Sequence, residues 1–593
     1  MPEAGIKNEI RFAALKGLWS LLPGHRKYEA IRLCLMLMAG MALEMVGVGL
    51  ILPVIALLTK PDLIFQHAIV QKMSEYVDLP SQQNLVLIIM VMLVVVYLVK
   101  NLYLGFLVWV QSRFIYGMQS EMAQKLFAIY LKQPYTFHLQ HNTAHLIRNV
   151  QSEIGMFING FTIPTLLILA EGMVVVGLFS LLMFVEPLGT LAVFGLICTA
   201  GGVFYLFVRH RLLNWGQQRQ FHEGARIKLL QEGFGGVKDV KLLSREADFL
   251  RQYAMHTQQS MKMGQRQYAM LQVPRLWLEL LAVTGLAVLM STMTLQGKPL
   301  EGFIPVLALF AAISFRLMPS ANRMISAVQQ LRFGIPVIKL LSKEFKLEQQ
   351  AVQSVPVKTE AFNNQIELLD VSYQYPNTEK LALSHVTLTI RKGETIGFVG
   401  ESGSGKSTLI DLMLGLLTPV SGAIRMDKHD ITQDPRPWQC QVGYVPQTIY
   451  LSDDTLSRNV AFGIAEQDID DAAVIRAIKA AQLESFVAGL PEGLDTIVGE
   501  RGVRLSGGQR QRIGIARALY HDPSVLVLDE ATSALDNRTE AEVMEAINAL
   551  QGKKTILIVA HRLTTVKGCD RIYKLDHGKI TDADDTFHSR HAG

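Results

Sequence analysis

The chain has 593 residues, of which 50% are hydrophobic and 18% are charged, and its formal net charge is +5. This length is well beyond a single ordinary core, and the mild charge, without a basic tail, excludes a protein organised around nucleic-acid binding. The four cysteines, Cys34, Cys198, Cys440 and Cys569, are scattered and form neither a metal-ligand spacing nor a disulfide framework.

The first part of the chain contains six apolar runs that are long enough, or nearly so, to cross a bilayer. They cover residues 33–58, 85–110, 161–185, 188–208, 276–295 and 303–325. The sequence therefore predicts an all-α transmembrane domain over residues 1–345 with six membrane-spanning helices.

The charges between these runs predict their orientation. The connection 209–275 carries twelve Lys and Arg residues against five Asp and Glu, whereas 61–83 and 296–302 each carry a single Lys. By the positive-inside rule, both termini and the two long connections lie in the cytoplasm. The long connections predict helices that extend from the membrane and turn near Pro134–Tyr135 and at 233–240. The helix-like pattern of 61–83 predicts a segment along the outer surface.

Charged residues inside the spans are costly in hydrocarbon and usually face protein or water. In the string FRLMPSANR, Arg316 and Arg323 lie nearly two helical turns apart and point to one side. One interpretation is a cationic wall for a pyrophosphate head, built from Lys100, Arg275, Arg316 and Arg323. The other is that Arg275 and Arg323 extend to headgroups, while Glu44, Lys100 and Glu279 pair with one another across the bundle. Glu171 is the remaining acid of the spans.

A polar linker at 346–364 leads into residues 365–593, where short apolar strands alternate with helical patterns. This alternation is typical of an α/β domain with a largely parallel sheet. The strand ETIGFVG runs into Gly400-x4-Gly405-Lys406-Ser407, and a helix follows. Such a loop wraps phosphates with backbone N–H groups, while Lys406 reaches the outer phosphates and Ser407 binds Mg²⁺.

Two further motifs follow the phosphate loop. The strand SVLVLDE ends in Asp529, which is placed to hold Mg²⁺, and Glu530, which can polarise the attacking water. Just before it, LSGGQ (505–509) opens a helix and forms a second anion site. One nucleotide does not need two phosphate sites in one domain, so the second predicts a nucleotide held on a partner molecule.

Together these motifs resemble the P-loop nucleotide-binding domain of an ATP-binding cassette (ABC) transporter, over 365–593. Six spans followed by one such domain resemble an exporter half-transporter. The resemblance implies ATP hydrolysis coupled to transport, with ATP and Mg²⁺ as cofactors and a second copy of the chain as partner in a homodimer.

The resemblance also implies the roles of individual residues. It assigns catalysis to Glu530, His561 and Gln447, and Mg²⁺ binding to Ser407, Gln447 and Asp529. It assigns nucleotide contacts to Tyr375, Gly400, Glu401, Ser402, Gly403, Ser404, Gly405, Lys406, Ser407, Thr408, Ser506, Gly507, Gly508, Gln509 and Asp536.

A narrower resemblance concerns the cargo. FRLMPSANR, QVPRLWLE (272–279), GLILPVIALL (49–58) and the segment 61–83 are similar to bacterial lipid-linked oligosaccharide flippases of the ABC exporter type. This implies an inner-membrane protein that moves a polyprenyl-pyrophosphate-linked oligosaccharide from the cytoplasmic to the outer leaflet.

Other functions remain open at this stage. A lipid A, phospholipid or multidrug exporter with the same type of nucleotide-binding domain is the nearest alternative. The chain contains 24 methionines, which suit an apolar cavity. A soluble ABC ATPase is disfavoured by the six spans. An ATP-gated channel is disfavoured by the intact Glu530 and His561.

Overall fold

A computed structural model describes residues 24–50, 82–185, 187–295, 303–350, 361–376, 378–531, 537–560 and 562–585. The chain divides into two compact units, one within residues 1–133 and 137–352 and the other within residues 134–136 and 353–593. The boundary after residue 352 falls inside the predicted linker.

The described residues up to position 350 are almost all helical, with short turns between the helices. The helices are α1 (Gly24–Gly49), α2 (Gln82–Leu131), α3 (Tyr135–Gln140), α4 (Thr143–Arg148), α5 (Ile154–Phe157), α6 (Ile163–Val185), α7 (Pro187–Gly235), α8 (Val237–Leu242), α9 (Glu246–Leu295) and α10 (Phe303–Lys346). Two π-helical turns, Asn149–Glu153 and Ile158–Thr162, join α4, α5 and α6 into one helical stretch, and a 3₁₀ turn, Leu347–Gln350, follows α10.

Five described helical segments are long and apolar enough to cross a membrane. They are Gly24–Gly47, Met90–Leu131, Thr143–Gly177, Glu246–Val288 and Leu317–Lys346. The predicted fourth span, 188–208, forms the first part of α7, which continues unbroken to Gly235. Large apolar side chains such as Val94, Leu102 and Val283 are about two-thirds exposed in these segments. Such surfaces suit a lipid environment rather than water.

The helix ends confirm the two predicted turns. α2 stops at Leu131, shortly before Pro134, because a proline restricts the residue before it and cannot continue the hydrogen-bond ladder. α7 stops at Gly235, and the short α8 follows before the chain reverses into α9. The predicted outer segment 61–83 and the end of the first span, 51–58, lie outside the described residues.

Close backbone approach holds α10 against its neighbours. A Cβ added at Gly216 of α7 would lie 2.3 Å from the carbonyl oxygen of Phe333, and one at Gly334 would lie 3.0 Å from that of Gly160. Glycine at these positions lets the helices touch along their backbones, as is common between membrane helices. The apolar core of this unit is formed mainly by α1, α2, the stretch from α5 to α6, and the last turns of α10.

A buried carboxylate ties α7 to the first π-helical turn. Glu153 is completely buried and accepts hydrogen bonds from Arg219 Nη2 at 3.2 Å and from Gln220 Nε2 at 3.4 Å. Arg148 Nε lies 3.7 Å from the same carboxylate. Two arginines therefore share one buried negative charge.

A chain of hydrogen bonds runs from Arg148, beside this carboxylate, to α2 and α10. Arg148 Nη2 donates to Asn149 Oδ1 at 3.0 Å, and Asn149 Nδ2 donates to the Tyr130 hydroxyl at 3.0 Å. The Tyr130 hydroxyl donates in turn to Glu344 Oε2 at 2.9 Å. Together, these contacts link α2, α7 and α10 at the first π-helical turn. A π-helical turn within an α-helix often marks a functional position.

The second unit contains two sheets. The strands are β1 (Gln365–Gln374), β2 (Leu381–Arg391), β3 (Thr395–Val399), β4 (Ser421–Met426), β5 (His429–Asp430), β6 (Val442–Val445), β7 (Val525–Asp529), β8 (Thr555–Ala560), β9 (Arg571–Asp576) and β10 (Lys579–Asp585). The first sheet is antiparallel, in the order β2-β1-β4-β5, and the second has the order β10-β9-β3-β8-β7-β6. All its pairs are parallel except the pair of β9 with β10.

Helices surround the second sheet. They are α11 (Lys406–Met413), α12 (Arg436–Gln439), α13 (Leu456–Val460), α14 (Asp471–Ala480), α15 (Glu484–Ala488), α16 (Gly507–Leu519), α17 (Asn537–Asn548) and α18 (Leu563–Val566). Short 3₁₀ turns lie at Glu466–Asp468, Gly493–Asp495 and Glu500–Gly502. Strands β3, β7 and β8 are buried at every residue, as expected for central strands that are covered on both faces.

Because Glu153 is buried beside two arginines, its removal should lower the stability of the protein. Glu153→Ala leaves the buried Arg148 and the partly buried Arg219 without their counter-charge, so we expect a loss of about 3 kcal/mol in the free energy of unfolding. Glu232→Ala is the matched control, because Glu232 is half-exposed and pairs only with Lys228 of its own helix. That change should cost less than about 1 kcal/mol. Thermal unfolding of the detergent-solubilised full chain measures both, and equal shifts in the two variants would contradict the assigned role.

Candidate functional site

The site is built at the edge where the parallel strands of the second sheet end. Val399 of β3 pairs with Ala560 of β8, and Asp529 of β7 pairs with Val559 of β8. The loop after β3 and the acidic residues after β7 therefore leave the sheet on the same side, which is where ligands bind in open α/β sheets.

The loop between β3 and α11 has the conformation that its glycines allow. Gly403 and Gly405 have φ of 81° and 105°, in the left-handed region that favours glycine. A Cβ at Gly405 would also lie 2.9 Å from the carbonyl oxygen of Ala382. A side chain at this position would therefore displace the loop, so that the backbone cradle depends on glycine.

The Lys406 side chain is buried and hydrogen-bonded to the backbone of this loop. Its Nζ donates to the carbonyl oxygens of Gly400 at 2.9 Å and Glu401 at 2.8 Å, and the residue is only 4% exposed. Burial lowers the pKa of the Lys406 ammonium, while the negative charges of Glu530 and Asp529 act in the opposite direction. A concentrated positive charge thus lies within a ring of backbone groups, as phosphate binding requires.

The beginning of α11 links the loop to the predicted base-stacking residue. Ser407 is exposed in the first turn of α11, whereas Thr408 is buried. The Thr408 hydroxyl lies 3.0 Å from the hydroxyl of Tyr375, whose ring packs edge-on against Tyr373. Tyr375 is thereby tied to the phosphate loop, and its stacking on adenine stays a prediction.

The two acidic residues at the end of β7, Asp529 and Glu530, contact different partners. Asp529 is 8% exposed, and its Oδ2 lies 3.4 Å from the Tyr444 hydroxyl of β6. Glu530 has a φ of 49°, an uncommon value for a residue other than glycine, and its carboxylate accepts a hydrogen bond of 2.7 Å from Gln447 Nε2. The structure therefore brings together Glu530 and Gln447, two of the three predicted catalytic residues.

The predicted signature segment forms a well-capped helix end. Ser506 and Gln509 make a reciprocal capping box at the N-terminus of α16, in which each side chain accepts from the other residue's backbone N–H. Gly507 is exposed and Gly508 is buried. Across the described residues, no hydrogen bond joins this segment to the phosphate loop.

Two predicted site residues, Asp536 and His561, lie outside the described residues, and their roles stay predictions. Two residues of the site were missed by the sequence interpretation. Tyr444 is in the strand VGYV, where it reads as an apolar residue. Asp411 is four residues after Ser407, on the same face of α11, and that spacing is the signal that could have indicated it.

Asp411 has an unusual protonation behaviour. Burial, together with the negative charge of Asp529, raises the pKa of the Asp411 carboxyl to about 6. A carboxyl group with a raised pKa in the folded state favours folding at low pH. That contribution is lost as the pH rises from about 4 to about 6, because the folded state must then carry a poorly solvated charge.

The predicted cargo-binding cations have acidic neighbours in the first unit. Lys100 Nζ lies 3.9 Å from Glu44, Arg323 Nε donates to Glu171 at 2.6 Å, and Arg275 Nε donates to Glu279 at 3.2 Å. The Arg316 side chain is not among those that the structure describes. The pairing of Lys100 with Glu44 fits the second interpretation, whereas Arg275 and Arg323 contact acids that this interpretation did not assign to them.

The fold and the site define a membrane-embedded ATPase, with a bundle of long apolar helices and a nucleotide-binding domain that carries a phosphate loop. A family model of the ABC transporter transmembrane region matches residues 43–316, and a model of the ABC transporter itself matches residues 383–533. The chain belongs to the ABC transporter family, and it is an exporter that couples ATP hydrolysis to transport.

Its curated relatives include ATP-dependent lipid A-core flippases. The protein from Cupriavidus pinatubonensis is 32% identical over 471 residues, covering 78% of each chain. The protein from Vibrio cholerae is 30% identical over 476 residues, covering 78% of this chain and 79% of its own. Among solved structures, a bacterial Atm1-family ABC exporter with ATP bound matches 95% of this chain and 96% of its own, with a TM-score of 0.77 and 22% identity. The likeness to that structure confirms the predicted fold class.

Replacing the predicted base should separate nucleotide binding from turnover. Glu530→Gln keeps the hydrogen bond with Gln447 but cannot accept a proton from water, so we expect ATP to bind normally and turnover to fall by more than about 100-fold. The closed form of the nucleotide-binding domains should accumulate. Glu466→Gln, at an exposed 3₁₀ turn, is the matched control. Wild-type hydrolysis in Glu530→Gln would overturn the assignment.

The raised pKa of Asp411 predicts a pH-dependent stability difference. Asp411→Asn removes the ionised form, so the variant should melt at a higher temperature than the wild type at pH 7. The difference should shrink as the pH falls towards 4, because the folded wild-type carboxyl is then neutral and no buried charge remains to be relieved. Thermal melts of the full chain without nucleotide measure the effect. A difference that is constant with pH would contradict it.

Proposed function

We propose that this protein flips a phosphorylated glycolipid of the lipid A type from the cytoplasmic to the outer leaflet of a bacterial inner membrane. The similarity to curated lipid A-core flippases, which extends over both halves of the chain, carries this proposal. It corresponds to the alternative considered from the sequence rather than to the polyprenyl-pyrophosphate oligosaccharide. The pairing of Lys100, Arg275 and Arg323 with acids also weakens the argument for a free pyrophosphate wall.

The protein acts as a homodimer in this proposal. Each chain carries one phosphate loop and one capped signature helix, and two chains arranged head to tail form two complete sites. The N-terminus of α16, with the exposed Ser506 and Gly507, then faces the nucleotide that the partner's phosphate loop holds. The nucleotide-binding domains and both termini lie in the cytoplasm, as the basic connections indicate.

The residues of the site fit Mg²⁺ as well as ATP. Mg²⁺ prefers oxygen ligands and usually takes one or two carboxylates together with substrate phosphates. Asp529, the exposed Ser407 hydroxyl and the Gln447 amide oxygen would hold it. The bound ion would neutralise phosphate charge during hydrolysis.

The side chains have separate roles in hydrolysis. Lys406 binds the outer phosphates once its two contacts to loop carbonyls are exchanged for phosphate oxygens. Glu530 accepts the proton of the attacking water at its carboxylate. Gln447 donates from Nε2 to that carboxylate and so orients it, while its amide oxygen would contact Mg²⁺.

Closure of the nucleotide-binding domains is transmitted to the membrane helices through the turn between α7 and α9. Phe234, Leu242 and Leu243 expose 75%, 72% and 68% of their surface there. An apolar group of this kind at a helix turn requires a covering surface, which the dimer supplies. The outcome is alternating access of the cavity between the two sets of spans.

A lipid panel tests the cargo. In proteoliposomes, lipid A should stimulate ATP hydrolysis more than a polyprenyl-pyrophosphate oligosaccharide, a phospholipid or a hydrophobic drug does. Glu530→Gln serves as the control without turnover. If the polyprenyl-pyrophosphate glycan stimulates more, and Arg316→Ala with Arg323→Ala removes that stimulation, the lipid A proposal is wrong and the cationic wall is restored.

A further inference from the structure

An apolar groove lies on the surface of the first unit, between helices α7, α9 and α10. Its volume is about 340 Å³. Phe204 and Phe207 of α7 line one side, and Trp277 and Leu281 of α9 line the other. Ile325 of α10 also contributes. Phe207 and Trp277 are 64% and 54% exposed, so the groove is open to the surroundings of the unit.

The level of the groove along α7 coincides with the end of an uncharged stretch. From Pro187 to Val208, α7 carries no acidic or basic residue, and Arg209, His210 and Arg211 follow directly. A run of this length spans the hydrocarbon core, and basic residues at its end lie at the headgroup level. The groove is thus one turn inside the hydrocarbon, next to the cytoplasmic headgroups in the proposed orientation.

One guanidinium group marks the headgroup end of the groove, and a second contacts Tyr205 on the other side of α7. Arg211 is one helical turn beyond Phe207, and its Cζ lies 4.5 Å from the centre of that ring. Arg332 of α10 donates from Nε to the Tyr205 hydroxyl at 2.8 Å, and its Cζ lies 5.3 Å from the Tyr205 ring. Among the residues that the structure describes, no carboxylate forms an ion pair with either arginine.

This arrangement differs from that of the arginines considered for the cargo. Arg275 and Arg323 are bound to carboxylates, whereas Arg211 and Arg332 rest on aromatic rings, which orient a cation without neutralising it. A guanidinium group in this state can still make paired hydrogen bonds to a phosphate. The aromatic wall and Arg211 therefore match the two parts of an anionic lipid.

We propose that the groove binds one acyl chain of a two-chain anionic phospholipid, with its phosphate at Arg211. The second chain stays in the bilayer, because the groove has room for a single chain. Such a lipid is a resident ligand rather than cargo. The proposal goes beyond the flippase function and depends only on the membrane position of α7 and α9.

Two glycines in α7 supply a matched pair of test variants. Gly201 lines the groove, while its neighbour Gly202 does not, and a Cβ added at either position meets no atom within 4 Å. Gly201→Leu should fill the groove without disturbing the backbone. Gly202→Leu makes the same change in helix propensity and hydrophobicity on an adjacent exposed face.

The experiment measures lipid binding to the full chain in detergent by native mass spectrometry, with phosphatidylglycerol as the probe. Gly201→Leu should weaken binding at least about fivefold, since excluding even two methylene groups from an apolar site has an effect of that size. Gly202→Leu should bind as the wild type does. Arg211→Gln should weaken phosphatidylglycerol more than zwitterionic phosphatidylethanolamine, and Arg211→Lys should restore most of the difference.

Several results would overturn the proposal. Equal phosphatidylglycerol binding by Gly201→Leu and Gly202→Leu would show that the groove holds no acyl chain. Loss of lipid A binding instead of phosphatidylglycerol binding in Gly201→Leu would make the groove a cargo site. A loss of dimer mass would make it an interface between copies. Stimulation of the wild-type ATPase by lipid A, measured in parallel, tests the proposed function separately.

Discussion

The ATPase site depends on the register of three parallel strands. β8 lies between β3 and β7, so the phosphate loop and the acidic pair leave the sheet two strand spacings apart, or about 10 Å. Successive residues of a strand point to opposite faces, and Asp529 is the last residue of β7. A shift of one residue in this register would therefore exchange the directions of Asp529 and Glu530. The hydrogen bond between Gln447 and Glu530 exists only because the strands are held in this alignment.

The features that could be predicted from the sequence are those that short segments determine by themselves. The phosphate loop needs glycine at positions with positive φ and a lysine at the start of a helix, and both are visible in a string of eight residues. The membrane helices follow from the length of their apolar runs, and the ends of α2 and α7 follow from Pro134 and from the Gly235–Gly236 pair. In each case the chemistry of a few adjacent residues decides the local conformation.

Features that depend on packing between distant segments were not predictable. The raised pKa of Asp411 arises from burial beside Asp529, which is more than a hundred residues away in the chain. The buried charge of Glu153 is balanced in part by Arg219, which comes from α7 and lies more than sixty residues away in the chain. The π-helical turn that presents Asn149 and Glu153 has no distinctive residue pattern, and its position follows from the helices that close around it.

The same limit explains why the cargo could not be inferred from the charges of the spans. A sequence shows that Arg323 lies in an apolar run, but not that Glu171, from a different helix, accepts its hydrogen bond at 2.6 Å. To bind a phosphate, Arg323 would have to exchange this carboxylate for another anion, leaving a buried acid behind, which is unfavourable in a membrane. Arg211 carries no such penalty, since its partner is the ring of Phe207. The electrostatic character of an arginine in a membrane helix is therefore set by what it rests on, and a cation on an aromatic ring is the better candidate for a lipid phosphate than one already held by a carboxylate.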